Sequence, residues 1–234
     1  MYSIAQVTDL HLDHRLEKEL GKDTRRNLLA VLRDIRNRRI NEIVLTGDLA
    51  EDSAIDWLFE ELDAQKSQYS YIFGNHDTRE RYPGSVNKEG FYYYQRDIEN
   101  IQCLFLDSAD SFVDEQQLHW LIERIEERQG PAIIFVHHPI LDCGTLFMDY
   151  QYPLKNRFQF QEILRKKNRD FFVFCGHYHM EHEQIQENIH QYVTPSTYYQ
   201  IRGDTKDLQE DKVSIGYRII EISETLKTHV IRMA

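Results

Sequence analysis

The chain has 234 residues, of which 41% are hydrophobic and 29% are charged, and its formal net charge at pH 7 is -11. This length and composition are typical of one compact globular domain and argue against a disordered or low-complexity chain. The acidic balance also argues against a broad basic surface of the kind that binds the phosphate backbone of long nucleic acids.

The amino-terminal segment lacks the basic start and apolar core of a secretory signal, because the strand-like sequence YSIAQV directly follows the initial methionine. The longest apolar runs, at 133–136 and 171–175, are far shorter than the roughly 18 residues that a transmembrane helix needs. Three scattered cysteines, at Cys103, Cys143 and Cys175, are too few for a disulfide framework. We therefore expect a cytoplasmic protein with no membrane partner.

Short apolar runs alternate with amphipathic stretches through the first three quarters of the chain, which is the pattern of an α/β protein. The alternation predicts strands at 3–8, 42–46, 69–73, 101–106, 132–136 and 171–175. Helices are predicted at about 24–38, 53–64, 114–128 and 154–167. From Asn188 onwards, segments of alternating hydrophobicity predict antiparallel strands. Because no linker or repeat interrupts this order, we expect one domain over residues 1–234.

The segment 143–153, with the sequence CGTLFMDYQYP, is the longest predicted loop. Long loops in compact domains are often functional. We expect this segment either to cap a binding site or to be a plain surface connection, and its sequence favours neither alternative over the other.

Residues of the types that bind metals follow most of the predicted strands. The clusters are TDLHLD after the first strand, TGDLAED after the second, FGNHDT after the third, FVHHPI after the fifth and FCGHYH after the sixth. Ligands of open α/β sheets bind beyond the carboxyl ends of the strands, so clusters that are distant in sequence can meet in one crevice there. The candidate site residues are Asp9, His11, Asp48, Asn75, His76, His137, His177 and His179.

The number of these candidates distinguishes between one metal ion and two. A mononuclear zinc site uses three or four protein ligands, whereas seven candidates remain here when His76 is set aside. Two ions that share one carboxylate account for the surplus. The mixture of carboxylate, amide and imidazole groups suits divalent or trivalent Mn, Fe, Zn or Co. The neighbouring Gly47, Gly74 and Gly176 are expected to permit a sharp backbone turn into the site.

Five motifs occur in order along the chain: Asp9-Leu10-His11, Gly47-Asp48, Gly74-Asn75-His76-Asp77, His137-His138-Pro139 and Gly176-His177-Tyr178-His179. Together they resemble the calcineurin-like metallophosphoesterase superfamily. The chain length, the doubled histidine and the later segment TPSTYYQ make the chain most similar to the class III cyclic nucleotide phosphodiesterase branch. The resemblance implies a four-layer αββα sandwich of two mixed β-sheets flanked by helices.

The resemblance also implies how the metal ligands divide. Asp48 is expected to bridge two ions, whose identity is expected to be Mn, Fe or Zn. A hydroxide that bridges the ions is then expected to attack the phosphorus in line with the leaving oxygen. The first ion is expected to take Asp9, His11 and His179, and the second Asn75, His137 and His177.

Further roles follow from the same resemblance. His76 is expected to be catalytic, either by protonating the leaving oxygen or by stabilising charge on the phosphate. Asp77 is expected to assist it by a hydrogen bond that orients the imidazole. His138 has two alternative roles, which are support of a metal ligand and contact with the substrate. The expected substrate contacts are therefore Asn75, His76 and His138.

The function that the resemblance implies is hydrolysis of phosphodiester bonds in small nucleotides, which are cyclic or linear. His76 favours diester chemistry, because the lipid-intermediate pyrophosphohydrolase branch of the superfamily usually has arginine at that position. A phosphomonoesterase or nucleotide pyrophosphatase on the same core is the alternative. A non-catalytic scaffold is disfavoured because no ligand position is substituted. The expected partner is a small phosphoester, and a homodimer is left open.

Aromatic and histidine residues outside the motifs receive weaker interpretations. The run FYYY at 91–94 has the aromatic character needed to stack a nucleobase, but a strand with core aromatics is the favoured interpretation. Further candidates for lining a substrate pocket are Tyr150, Tyr152, Tyr198 and Tyr199. The histidines expected to be solvated or structural are His14, His119, His182, His190 and His229.

Overall fold

The computed structural model describes residues 2–13, 23–51, 53–82, 84, 86–211 and 214–233. In this part of the chain the backbone forms two large β-sheets, a two-stranded sheet and the helices that cover them. His14, which we predicted to be solvated or structural, lies outside the described residues.

The strands are β1 (Tyr2–Val7), β2 (Glu42–Thr46), β3 (Gln68–Ile72), β4 (Tyr94–Ile98), β5 (Ile101–Phe105), β6 (Ala132–Phe135), β7 (Phe171–Cys175), β8 (His182–Gln186), β9 (Ile189–Val193), β10 (Gln200–Ile201), β11 (Glu210–Asp211), β12 (Ile215–Ile222) and β13 (Leu226–Met233). The helices are α1 (Thr24–Asn37), α2 (Ala54–Gln65), α3 (Glu115–Glu126), α4 (Met148–Gln151) and α5 (Arg157–Arg165), with a 3₁₀ helix at Arg79–Arg81. The strands and helices predicted in the first three quarters of the chain are all confirmed, with ends that differ by no more than a single helical turn.

Two strands of the second sheet, β4 and β8, were not among the strands predicted from the alternation, and they share a position in the fold. β4 and β8 carry the polar sequences YQRDI and HEQIQ. Both are edge strands of the second sheet, whose order is β4-β5-β6-β7-β9-β8. Edge strands often carry charged side chains that discourage pairing with other chains, so they lack the apolar pattern of a central strand. In addition, β9 pairs parallel to β7, which corrects the expectation of purely antiparallel strands after Asn188.

In each large sheet, the carboxyl ends of the parallel strands lie at one edge. The first sheet has the order β13-β12-β1-β2-β3. Its strands β1, β2 and β3 run parallel to one another, as do β5, β6 and β7 in the second sheet. Because parallel strands end on the same side of a sheet, the segments that follow β1 to β3 emerge side by side, and so do those that follow β5 to β7.

The two sheets pack face to face between two layers of helices. Side chains that include Ile4, Val44, Phe105 and Phe135 fill the space between the sheets. Helices α1 and α2 cover the outer face of the first sheet, and α3 and α5 cover that of the second. This arrangement confirms the four-layer αββα sandwich. Across the described ranges, no helix combines the length and the apolar composition that a bilayer crossing requires.

Candidate metal centre

The strand ends bring six of the seven predicted metal ligands together. In each of two groups the ligand atoms lie within 4.8 Å of one another. Asp48 belongs to both groups, which is the position that a bridging carboxylate requires. Asn75, the seventh predicted ligand, follows β3 at the same edge, and its side chain is exposed. One group consists of Asp9, His11, Asp48 and His179, and the other of Asp48, His137 and His177.

Short distances join the polar atoms of both groups. His11 Nε2 lies 3.1 Å from His179 Nε2 and 3.6 Å from Asp48 Oδ2. Asp48 Oδ2 also lies 3.4 Å from His137 Nε2, and Asp9 Oδ1 lies 3.3 Å from His179 Nε2. Apart from His11, all of these side chains are buried. Charged groups in such a place need a partner of opposite charge, because burial removes them from water.

The backbone at the strand ends adopts an uncommon conformation. Five predicted ligands have left-handed backbone angles, with φ of 52° at Asp9, 45° at His11, 52° at Asp48, 66° at His177 and 47° at His179. This conformation costs a non-glycine residue roughly 1–2 kcal/mol. Such residues are concentrated at functional sites, where the surrounding structure stabilises them. The repeated left-handed turn is therefore evidence for a site, independent of residue type.

Gly74 and Gly176 leave space for neighbouring ligand side chains, whereas we predicted that they permit a sharp backbone turn. Of the three glycines, only Gly47 has a positive φ, at 95°. A Cβ atom at Gly74 would collide with the Asp48 carboxylate, and a Cβ atom at Gly176 would collide with the Asp9 carboxylate. Gly74 and Gly176 are needed because a ligand side chain approaches the backbone closely at each position.

We expect Gly74→Ala to lower the free energy of unfolding by about 1–3 kcal/mol, the usual cost of overpacking. The added methyl group also displaces Asp48, so the apoprotein should bind Mn²⁺ more weakly. Urea denaturation and calorimetric titration with Mn²⁺ measure the two effects. Gly130→Ala is the control, because a Cβ atom there meets open space and its φ of 83° adds only backbone strain. Unchanged Mn²⁺ affinity in Gly74→Ala would contradict this prediction.

Backbone carbonyl groups fix which ring nitrogen of His137 and His179 faces the centre. His137 Nδ1 lies 2.8 Å from the carbonyl oxygen of Thr46, and His179 Nδ1 lies 3.0 Å from that of Tyr199. Because a carbonyl oxygen only accepts hydrogen bonds, Nδ1 carries a hydrogen in both rings, and Nε2 is the nitrogen that faces the centre. Metal-bound histidines usually have such a partner on the other nitrogen.

His177 has the same arrangement with the segment 143–153. Its Nε2 lies 3.0 Å from the carbonyl oxygen of Tyr152, which leaves Nδ1 with the lone pair. The segment, which contains α4, therefore supports a candidate ligand through its backbone. Neither predicted alternative, a cap or a plain surface connection, described this role. The sequence carries no signal for it, because every residue has the same carbonyl group.

Burial and charge together set the protonation of the site. Burial lowers the pKa of His11 to about 4 and that of His177 to about 3, so both rings are neutral near pH 7. Burial also disfavours the protonated form of His137, but the Asp48 carboxylate outweighs it and raises the pKa of His137 to about 9. The centre thus combines the neutral imidazoles of His11 and His177 with carboxylates that attract positive charge, as the raised pKa of His137 shows.

The donor set fits a pair of metal ions. His137 Nε2 is buried without a hydrogen-bond partner. The carboxylates of Asp9 and Asp48 are both buried, and within the described ranges their ion-pair partners are histidines rather than lysine or arginine. Carboxylate oxygens and neutral imidazoles are suitable ligands for Mn, Fe and Zn. Two ions that share Asp48 would coordinate His137 Nε2 and balance the buried negative charge.

Comparison with known proteins identifies the family. Residues 2–181 match the model of the calcineurin-like phosphoesterase family. The chain belongs to this family. This membership confirms the family that we predicted from the five motifs. Together with the two ligand groups that share Asp48, it supports a dinuclear centre for divalent metal ions.

Several relatives and structures cover nearly the whole chain. A probable cyclic nucleotide phosphodiesterase from Fibrobacter succinogenes is 32% identical, over 94% of this chain and 90% of that protein. The 3′,5′-cyclic adenosine monophosphate phosphodiesterase CpdA of Escherichia coli is 29% identical, over 99% of this chain and 90% of that protein. A dimetal phosphatase from Danio rerio shares the fold with a TM-score of 0.71 and 15% identity, over 99% of this chain and 98% of that chain.

In this calcineurin-like phosphoesterase a narrow cleft at the metal centre is lined by residues that include His11, Asp48 and His76. The His76 side chain is exposed, and its ring centroid lies 5.1 Å from that of His11. The backbone N–H of His76 donates a hydrogen bond to Asp48 Oδ1 at 2.9 Å. A second cavity of about 190 Å³ adjoins the first at His76, and Thr78 and Arg81 are among the residues that line it.

Asp77 does not hydrogen-bond to the His76 imidazole within the described structure, which corrects our prediction. Its Oδ2 accepts a hydrogen bond from the Gly74 N–H at 2.8 Å. Its Oδ1 accepts one from the Leu49 N–H at 2.8 Å and lies 2.6 Å from the Tyr82 hydroxyl oxygen. These contacts connect the carboxylate to the backbone of Gly74 and Leu49 and to Tyr82, so it orients these segments rather than the imidazole.

His138 does not face the open cleft, because its side chain is fully buried. Its ring centroid lies 4.0 Å from that of His177, and its Nδ1 lies 2.9 Å from the Ser108 hydroxyl oxygen. The structure therefore corrects the predicted contact between His138 and the substrate. The alternative role, support of a metal ligand, agrees with its packing against His177.

The aromatic run at 91–94 belongs to the interior rather than to the cleft. Tyr94 begins β4, and its ring stacks on Phe105 at a centroid distance of 4.5 Å. Tyr93 is buried against Trp120, at 5.1 Å. The favoured interpretation as core aromatics is thus confirmed for these two tyrosines, although the strand begins only at Tyr94.

Two of the four candidate pocket tyrosines adjoin the first ligand group. The ring centroids of Tyr198 and Tyr199 lie 5.6 Å and 6.5 Å from that of His11. Tyr150 and Tyr152 lie on the segment that supports His177, and both side chains are exposed. Among the residues described, four further histidines that we predicted to be solvated or structural belong to neither ligand group: His119, His182, His190 and His229.

Proposed function

We propose that the protein is a dinuclear metal-dependent phosphodiesterase that acts on small nucleotides, including cyclic nucleotides. The observation that carries this proposal is a buried Asp48 shared by two ligand groups, beside the exposed imidazole of His76. The names of the relatives from Fibrobacter succinogenes and Escherichia coli specify cyclic nucleotides, which supports the substrate class.

The proposed ligands divide as the geometry of the two groups suggests. When bound, the ions supply Lewis-acid chemistry that polarises phosphoryl oxygens and lowers the pKa of water to about 7. Mn, Fe and Zn are the proposed ions, because each accepts both oxygen and imidazole ligands. Asp9, His11 and His179 would hold the first ion, Asn75, His137 and His177 would hold the second, and Asp48 would be shared by both.

His76 is proposed to act on the leaving oxygen. Its backbone N–H is held by Asp48, so the ring is positioned relative to the ligand that both groups share. The ring itself belongs to neither group and remains available to the substrate. An imidazole in this place donates a proton to a departing alkoxide or stabilises its charge, an effect typically worth about 10² to 10⁴-fold in rate.

Charge and cavity shape favour a small substrate. The net charge of -11 repels long polyanions, whereas bound cations reverse the local field at the centre. The cavity of about 190 Å³ beside His76 is proposed to receive the part of the nucleotide beyond the scissile bond. Its Arg81 and Thr78 supply the hydrogen-bond donors that sugar or phosphate oxygens require.

A panel of substrates tests the proposal. We expect chelated protein reloaded with Mn²⁺ to contain two metal ions per chain and to hydrolyse bis-p-nitrophenyl phosphate and at least one cyclic nucleotide. The panel includes cyclic AMP, 2′,3′-cyclic nucleotides and p-nitrophenyl phosphate, with the chelated protein as control. A clear preference for the monoester would favour a phosphomonoesterase, and no turnover of any phosphoester would overturn the proposal.

The remaining predictions concern the whole chain. We propose that residues 1–234 form one domain, which is supported by the packing of the two sheets against each other through one shared core. The buried free thiols of Cys103, Cys143 and Cys175 support the proposed cytoplasmic location, because this compartment keeps thiols reduced. The homodimer stays a prediction that sedimentation analysis tests.

A further inference from the structure

Tyr82 lies outside every motif, yet it is buried beside the proposed centre. It directly follows the 3₁₀ helix at Arg79–Arg81 and is 2% exposed. Its ring packs edge-on against Phe73 and Phe59, at centroid distances of 5.1 Å and 6.2 Å. These contacts fix the ring, so the position of its hydroxyl group is determined by the aromatic core.

The hydroxyl group of Tyr82 joins two loops. It accepts a hydrogen bond from the Ala50 N–H at 3.0 Å and lies 2.6 Å from both the Ala50 carbonyl oxygen and Asp77 Oδ1. Ala50 is two residues beyond Asp48, and Asp77 is two residues beyond Asn75. The hydroxyl thus connects the loop that carries the shared carboxylate with the loop that carries Asn75 and the catalytic imidazole.

Asp77 extends the same connection. Its carboxylate accepts hydrogen bonds from the Leu49 N–H and the Gly74 N–H, each at 2.8 Å. The two loops are therefore linked through Asp77 and Tyr82 at several backbone groups, close to the single direct hydrogen bond from His76 to Asp48. Among the described residues that form this link, only Tyr82 is anchored in the aromatic core.

We propose that Tyr82 is a positioning residue that sets the distance between Asp48 and the His76 loop, and so acts on catalysis through both. This inference rests on the proposed phosphodiesterase function. Reactions that depend on aligned groups are sensitive to small displacements, and a shift of about 1 Å can reduce a rate by about 10²-fold. Buried tyrosine hydroxyls that only stabilise the fold have no such effect on rate.

Tyr82→Phe tests the proposal, because it removes the hydroxyl group and keeps the ring. The matched control is Tyr217→Phe. Tyr217 is fully buried in the same hydrophobic cluster, and its hydroxyl also donates to a carboxylate, Asp34 Oδ2, at 2.8 Å. Tyr217 contacts neither ligand group in the described structure. Each variant therefore loses a contact between a buried hydroxyl and a carboxylate, and only Tyr82 lies between the two loops.

We expect Tyr82→Phe to lower kcat for bis-p-nitrophenyl phosphate by about 10-fold to 10²-fold, with KM changed much less. Calorimetric titration of the apoprotein should show weaker Mn²⁺ binding in Tyr82→Phe. Tyr217→Phe should match the wild type in kcat and Mn²⁺ affinity, while thermal denaturation shows a lower Tm for both variants.

Wild-type kcat and Mn²⁺ affinity in Tyr82→Phe would overturn the proposal, and so would an equal loss of activity in Tyr217→Phe. If Tyr82→Phe does not fold, Asp77→Asn removes the other half of the link, and unchanged Mn²⁺ affinity in that variant would overturn it as well. Failure of the phosphodiesterase proposal can be distinguished from failure of the Tyr82 proposal. If the protein is not a phosphodiesterase, the wild type is inactive, but the Mn²⁺ affinity of Tyr82→Phe still tests the link between the two loops.

Discussion

Replacing Asp48 by Asn is expected to lower kcat by about 10³-fold, which corresponds to about 4 kcal/mol of transition-state stabilisation, a typical contribution from bound metals. Asp48 is 2% exposed and belongs to both ligand groups. The amide preserves the shape of the side chain but removes the negative charge that both proposed ions share. We therefore also expect the metal content to fall below two ions per chain, measured by elemental analysis after reloading with Mn²⁺.

Asp34→Asn is the control for this substitution. Asp34 is a partly buried carboxylate on α1 that accepts hydrogen bonds from Tyr217 and Arg38, each at 2.8 Å. It belongs to neither ligand group in the described ranges. Its variant should keep full metal content and activity, although its stability falls. Wild-type metal content and activity in Asp48→Asn would refute the role of Asp48 as the shared ligand.

His76→Ala is expected to lower kcat for cyclic AMP by about 10² to 10⁴-fold, the usual contribution of a general acid. The loss should be smaller for bis-p-nitrophenyl phosphate, because p-nitrophenolate leaves without being protonated. The metal content should remain at two ions per chain, since the His76 ring belongs to neither ligand group. Steady-state kinetics on both substrates and elemental analysis measure these effects.

The control for His76→Ala is His119→Ala, which alters an exposed histidine on α3. It should leave kcat for both substrates unchanged. Equal losses on both substrates would assign His76 to charge stabilisation on the phosphate instead of proton transfer. Loss of a metal ion from His76→Ala would contradict both roles and make His76 a ligand.

The order of elements and the ligand set could be predicted because each depends on local signals. Central strands such as β2 and β7 carry continuous apolar runs, and the start of α3 is set by Asp114, whose side chain accepts a hydrogen bond from the Gln117 N–H at 2.8 Å. The edge strands β4 and β8 carry polar residues because, within the described residues, one side of each has no neighbouring strand, so their sequences lack the apolar run of a central strand.

Other features depend on contacts between residues that are distant in sequence. Asp77 contacts Leu49 and Tyr82 instead of the adjacent His76 imidazole, and His138 turns towards Ser108 instead of the cleft. Both sequence predictions relied on adjacency within a motif. Adjacent residues in an irregular segment can point in different directions, and only the packing around them decides which partner each one meets.

The sequence by itself determined the family, the alternation of strands and helices and the residue types of the metal centre. These features could be predicted because the spacing of apolar residues and the types of ligand residues are visible in short segments of the sequence. The tertiary structure decided how the ligands group around Asp48 and which carbonyl groups orient the histidines. It also decided that Tyr82 connects the two loops. These features depend on contacts between residues that are distant in sequence, such as Asp9 and His179. Such contacts form only when the two sheets have packed against each other.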